Sequence, residues 1–258
     1  MVEVAVVCND DRMRDEWETV TDIYGSREYL QVQVDCRFGT TTEELRELLS
    51  KDMDVLHFIG HIDGEGFACP DGVVDAADVE HMNASTILLN GCRSHDQGRM
   101  LVEAGASAAV VSLSDLWNDG AVEVGEVLAQ LLHSGFTVGT VLELIRQYTS
   151  LGRQYVVLGD PGVTVVEAGS GPPVLYRVNT ATGSSETVLV EPVAYPTRAF
   201  GIGSTVRPLF DGFDQSRIAG GSCSQKELTV EEFREGICAP NPVVIDGELV
   251  HDEWSLKE

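Results

Sequence analysis

The stretches DVLHFIGHIDGEG, residues 54–66, and STILLNGCRSHDQG, residues 85–98, share one build. Each opens on an apolar run of strand length, reaches a glycine, and then presents a reactive side chain, His61 in the first and Cys92 in the second. Runs this apolar, lacking a polar residue at every second place, fit strands covered on both faces. Outward from them the same alternation continues. VEVAVVC (2–8) reads as a strand and DDRMRDEWETVTDIYG (10–25) as a helix stopped by Gly25. YLQVQVDC (29–36) is a further strand, and TTTEELRELLSKD (40–52) a helix with a Thr cap and an acidic first turn. Helices are expected near DAADVEHM (75–82), near GRMLVEAG (98–105), over 121–132 and over 138–148, with a strand at AAVVSL (108–113). Strand and helix in regular alternation predict an α/β fold: a mostly parallel sheet between two helical layers.

At 169–173, GSGPP, helical periodicity stops. We therefore expect two domains, residues 1–168 and 169–258. The second is β-rich, with strands at VLYRV (174–178) and ETVLVEPV (186–193), and a hairpin in NPVVIDGELVHDEW (241–254) turning at Asp246-Gly247. Thr229 and Glu232 have capping-box spacing for a short helix at TVEEFREGI (229–237).

Catalytic groups in open α/β sheets gather beyond the carboxyl ends of the strands, and both His61 and Cys92 are placed there. If their strands are neighbours, about 4.8 Å apart, the two side chains come within reach of each other. A thiol reacts as thiolate, so an adjacent imidazole, together with the start of a helix after Cys92, would activate it; the imidazole can then protonate a leaving amine. Glycines at 60, 64, 66, 91 and 98 leave room for a substrate. Backbone N–H groups near Gly64 and at Cys92 are the candidates for holding an oxyanion. His57, inside its apolar run, and Cys69 read as structural. His95 reads as a surface or capping residue, and His81, His133 and His251 as solvated.

HFIGH (57–61), LLNGCRSHDQG (88–98), LVEAGASAAVVSLSDLWNDGA (101–121) and VVLGDPGVTVV (156–166) together resemble the CHAT family of caspase-like cysteine peptidases, relatives of separase and the caspases. The resemblance covers about residues 1–168. It implies a caspase-like fold, a His61/Cys92 catalytic dyad acting on protein or peptide substrates without a cofactor, and a turn at Gly159-Asp160-Pro161 near the domain's end. It also implies a carboxylate that binds a basic residue before the scissile bond, best matched by Asp119 and next by Asp115, and hence cleavage after Arg or Lys. A regulatory protein partner is a further implication. The family commonly has glycine directly after the histidine, where this chain has Ile62. A silent scaffold that binds proteins without cleaving them is the alternative, and an amide hydrolase of small molecules a third.

Composition sets the surroundings. The chain has 42 Asp and Glu against 17 Lys and Arg, a net charge of −25, which argues against nucleic acid as a partner. Spread along the chain, this excess suits a cytoplasm of high salt, where repulsion is screened over a few ångströms. No run approaches the roughly 20 apolar residues that span a bilayer, and the first residues lack the basic start of a secretion signal. The six cysteines form no CxxC pair and no zinc-like cluster, so neither a metal nor a disulfide framework is expected, although Cys223 and Cys238 could in principle pair.

Overall fold

The computed structural model describes residues 1–25, 32–63, 65–167, 171–180, 186–206, 217–218, 225–237 and 241–250, with the side chains of 63, 118, 119, 217 and 218 left aside. The chain forms two compact units, one of Met1–His133 with Thr137–Val166 and the other of Ser134–Phe136 with Glu167–Glu258.

In the first unit the chain runs β1 (Val2–Cys8), α1 (Arg14–Gly25), β2 (Val32–Phe38), α2 (Thr42–Leu49), β3 (Met53–Ile59) and a small antiparallel meander, β4 (Ile62–Asp63), β5 (Gly66–Cys69) and β6 (Gly72–Val74). It continues with β7 (Ala84–Asn90), α3 (His95–Glu103), β8 (Ala108–Ser112), α4 (Asn118–His133), α5 (Val138–Tyr148) and β9 (Tyr155–Gly159). The main sheet has the order β2-β1-β3-β7-β8-β9, parallel throughout except for the antiparallel edge strand β9. Parallel strands need long crossover connections, helical here except between β3 and β7, and the helices cover both faces. Leu45, Leu48 and Leu49 of α2 and Leu101 of α3 pack with Ala5, Val7, Leu56, Phe58, Ile87 and Leu89 on one face. On the other face α1 and α4 meet the alternate residues, with Tyr24 edge-on to His57 and Asn90 bonded to the Ala121 carbonyl. The expected three-layer α/β fold is therefore present.

Local signals explain the element ends. Thr41 and Glu44 form a reciprocal capping box at the start of α2. The helix expected at 75–82 is reduced to a single 3-10 turn, Ala76–Asp78. Asp75 Oδ1 is drawn to the Ala77 N–H and to Gln97 Nε2, while Gln97 Oε1 takes the Ala76 N–H, so these groups anchor a turn instead of propagating a helix. His133, expected in solvent, is buried, edge-on to Tyr24.

The second unit carries β10 (Val174–Asn179), β11 (Thr187–Ala194), β12 (Thr205–Val206), β13 (Arg217–Ile218), β14 (Lys226–Thr229), α6 (Val230–Gly236), β15 (Val243–Ile245) and β16 (Glu248–Val250). Its five-stranded sheet has the order β14-β11-β10-β15-β16 around Tyr176, Val178, Val190, Leu228 and Phe233. The β15–β16 hairpin turns at Asp246 and Gly247, both at positive φ, as a two-residue hairpin loop requires. Cys223, Cys238 and His251 lie outside the described residues.

Candidate active site

β3 and β7 are adjacent and parallel, with Ile59 opposite Asn90, so both chains leave the sheet at the same level. Gly60 N–H donates to the Asn90 carbonyl at 3.2 Å. Gly60 has φ +153°, and a Cβ on Gly91 would lie 2.4 Å from the Gly60 carbonyl oxygen, so the approach of the two strand ends requires this glycine pair. The next residues are His61 and Cys92. The separately predicted histidine and cysteine thus stand at neighbouring strand ends.

Cys92 is half-buried, and its Sγ accepts the Leu116 N–H at 3.3 Å from the loop that follows β8. Arg93, directly after it, has φ +50°, a left-handed conformation uncommon for a side chain of its size. Two bonds hold it there: Arg93 N–H to the Ser114 carbonyl at 3.1 Å and Arg93 Nη2 to Asp115 at 2.7 Å. Below, Ser94 N–H donates to Ser112 Oγ and Ser94 Oγ to the Leu89 carbonyl, while Ser112 Oγ donates to the Gly91 carbonyl. The turn carrying Cys92 is therefore tied on both sides, and α3 starts three residues beyond the thiol. Burial pushes the Cys8 and Cys69 thiols up to about 11 each, which disfavours their thiolates at neutral pH.

His61 is exposed and engaged by the loop that follows β1. Arg12 Nη2 lies 2.6 Å from His61 Nε2, and Asp10 Oδ2 lies 3.6 Å from the same nitrogen. Asp10 and Arg12 are themselves joined in a fork, Nε to Oδ1 at 3.0 Å and Nη2 to Oδ2 at 2.7 Å. The guanidinium beside Asp10 holds its carboxyl below the ordinary carboxylate range. Arg12 is also within electrostatic reach of Cys92. Among the described residues no hydrogen bond joins His61 to Cys92.

Sequence reasoning missed Asp10 and Arg12. The signal was available, because NDDR directly follows an apolar strand and β1 lies beside β3, placing this loop at the same carboxyl edge. Of the expected specificity residues, Asp115 lies on the loop after β8 and is paired with Arg93, and Asp119 lies in the first turn of α4 with its side chain outside the description. Gly64 lies outside the described residues.

Directly beneath the strand ends is a buried polar cluster. Asn90 Nδ2 donates to Glu16 Oε1 at 2.6 Å and to the Ala121 carbonyl at 2.8 Å, and Asn90 Oδ1 accepts from Tyr155 Oη. Burial pushes the Glu16 carboxyl well above its ordinary range, and Glu126 adds to this against the opposing bond from Asn90. Burial also pushes the His57 imidazole down to about 3. His57 Nε2 stands 3.8 Å from Glu16 Oε1, and burial disfavours the charged form of both.

Among the described residues no cluster of three His, Cys, Asp or Glu could hold a metal, and no helix is long and apolar enough to cross a membrane. No protein-family model and no curated protein matches the chain. Among solved structures it is similar to separase in the Saccharomyces cerevisiae separase–securin complex, at 14% identity and a TM-score of 0.47 over 61% of this chain and 12% of that one. It is also similar to the Arg-specific cysteine proteinase gingipain R, at 14% identity and a TM-score of 0.47 over 74% of this chain and 53% of that one. The complex of Porphyromonas gingivalis RgpB pro- and mature domains gives 12% identity and a TM-score of 0.46 over 95% of this chain and 68% of that one. The chain thus spans about an eighth of the separase chain and about half of gingipain R. The chemistry of the site rests on its own residues.

Proposed function

We propose that residues 1–168 form a caspase-like cysteine-peptidase domain of the CHAT kind, with Cys92 as nucleophile and His61 as general base and acid. The observation that carries this reading is the parallel register of β3 and β7, which delivers an imidazole and a half-buried thiol, the latter receiving a backbone N–H, to adjacent strand ends. In the reaction, His61 takes the Cys92 proton and the thiolate attacks the substrate carbonyl. His61 then returns the proton to the leaving amine, and water hydrolyses the remaining thioester. Backbone N–H groups at Cys92 and Gly64 stabilise the tetrahedral oxyanion. Asp119, with Asp115 next, selects Arg or Lys before the scissile bond through a charged fork, in line with the acidic balance of the chain. No cofactor takes part. Residues 169–258 form a β-rich extension, the natural substrate is a protein or peptide, and the setting is a cytoplasm of high salt.

A peptide library in molar salt tests this reading. Cleavage after Arg or Lys that disappears in Cys92→Ala is expected, and cleavage confined to sites after Asp would overturn the specificity. A second reading, a scaffold without activity, draws on one observation: Arg12 Nη2 bonds Nε2 of His61.

A further inference from the structure

Arginine has N–H donors and no acceptor, so the 2.6 Å contact fixes the state of His61. Nε2 accepts from Arg12 Nη2, and the single ring proton of the neutral imidazole sits on Nδ1. In that arrangement the lone pair of His61 is taken up by a neighbouring cation. The ring cannot collect a proton at Nε2 while Arg12 is there, and it cannot adopt the opposite tautomer without setting two donors against each other. Asp10 completes the geometry. Its Oδ2 is 3.6 Å from the same Nε2 and holds Arg12 in place, while Oδ1 accepts the Arg12 backbone N–H at 3.0 Å, which makes Asp10 the cap of the short 3-10 turn, Asp11–Met13. The Asp10 side chain is nearly buried at 9% exposure, whereas that of Arg12 is 60% exposed, so the carboxylate is the fixed member and the guanidinium the movable one.

We propose that Asp10 is the positioning residue of His61, and that Arg12 is a latch which, by bonding both, holds the base in its idle tautomer. This rests on the dyad reading above. When Arg12 swings out, Asp10 Oδ2 accepts an Nε2–H. The ring proton has then moved from Nδ1 to Nε2 through water, and Nδ1 carries the lone pair. Transfer of the Cys92 S–H proton to Nδ1 gives a thiolate and an imidazolium, and the carboxylate of Asp10 stabilises that imidazolium. The same two side chains, in two positions of one arginine, thus give an idle and an active base.

The test uses the full chain folded in molar salt, with two readouts. Ring 15N spectra at neutral pH, with His61 assigned by its loss in His61→Ala, report the tautomer. Mass spectrometry reports the rate at which iodoacetamide alkylates Cys92. The Nδ1–H form is expected in the wild type, and the Nε2–H form in Arg12→Gln together with alkylation faster by about tenfold. Adding Asp10→Asn, which keeps a cap for the 3-10 turn, is expected to abolish both changes. An Nε2–H ring in the wild type, or a tautomer and rate unmoved by Arg12→Gln, overturns the latch. If His61→Ala in the Arg12→Gln background leaves the rate unchanged, the dyad reading fails as well, so the two failures are told apart.

Discussion

A methyl group at residue 91 would lie 2.4 Å from the Gly60 carbonyl oxygen and 2.9 Å from Ile62 Cγ1, both beside the histidine. Gly91→Ala is therefore expected to destabilise the first unit by about 2 kcal/mol, measured by denaturant titration, because backbone and not a flexible side-chain tip is in the way. The buried cluster below makes a second prediction at this scale. His57 keeps its imidazole neutral in the folded protein, with a pKa near 3, while the unfolded chain takes up a proton below the ordinary value of 6.5. Its contribution is complete above pH 6.5 and is lost as pH falls toward 3, to an upper limit of about 5 kcal/mol. Neither ring nitrogen has a hydrogen-bond partner among the described residues, so His57→Phe should flatten that acid-side loss. Glu16 works in the opposite sense. Its folded pKa is raised above the ordinary 4.5, so stability is greatest below that pH and declines as pH rises. Glu16→Gln keeps an acceptor for Asn90, and its stability gain over the wild type should grow with pH above 4.5.

At the scale of elements, the capping boxes were readable because both of their partners lie within four residues. Thr41 bonds the Glu44 N–H and Glu44 returns the bond, and Thr229 and Glu232 repeat the pattern. Thr41→Ala should cost about 1 kcal/mol, read as a lower urea midpoint with unchanged slope. The strands that deliver His61 and Cys92 were equally legible from their unbroken apolar runs. What was hidden depends on residues far apart in the chain. The helical spacing of DAADVEHM loses to Gln97, which takes the Ala76 N–H from 21 residues away. The end of β1 marks NDDR as a loop at the carboxyl edge, but the pairing of Asp10 and Arg12 with His61 spans 49 to 51 residues and no local spacing specifies it. Asp115 could be read from the sequence as an open carboxylate, yet Arg93, placed by its left-handed backbone, pairs with it.

For the whole molecule, the net charge of −25 sets the conditions under which everything else is measured. At about 1 M salt the screening length is near 3 Å and repulsion between surface carboxylates is largely removed, whereas at 0.01 M it extends to about 30 Å. The unfolding midpoint should therefore rise steeply with potassium chloride; a midpoint insensitive to salt would mark an ordinary acidic protein. An electrophilic arginyl peptide probe in molar salt, with mass spectrometry to locate the adduct, tests whether this fold carries a working His61/Cys92 dyad. A single adduct on Cys92 is expected, formed faster in Arg12→Gln and lost in His61→Ala. Folded protein without an adduct on Cys92, in the wild type and in Arg12→Gln alike, would contradict the dyad.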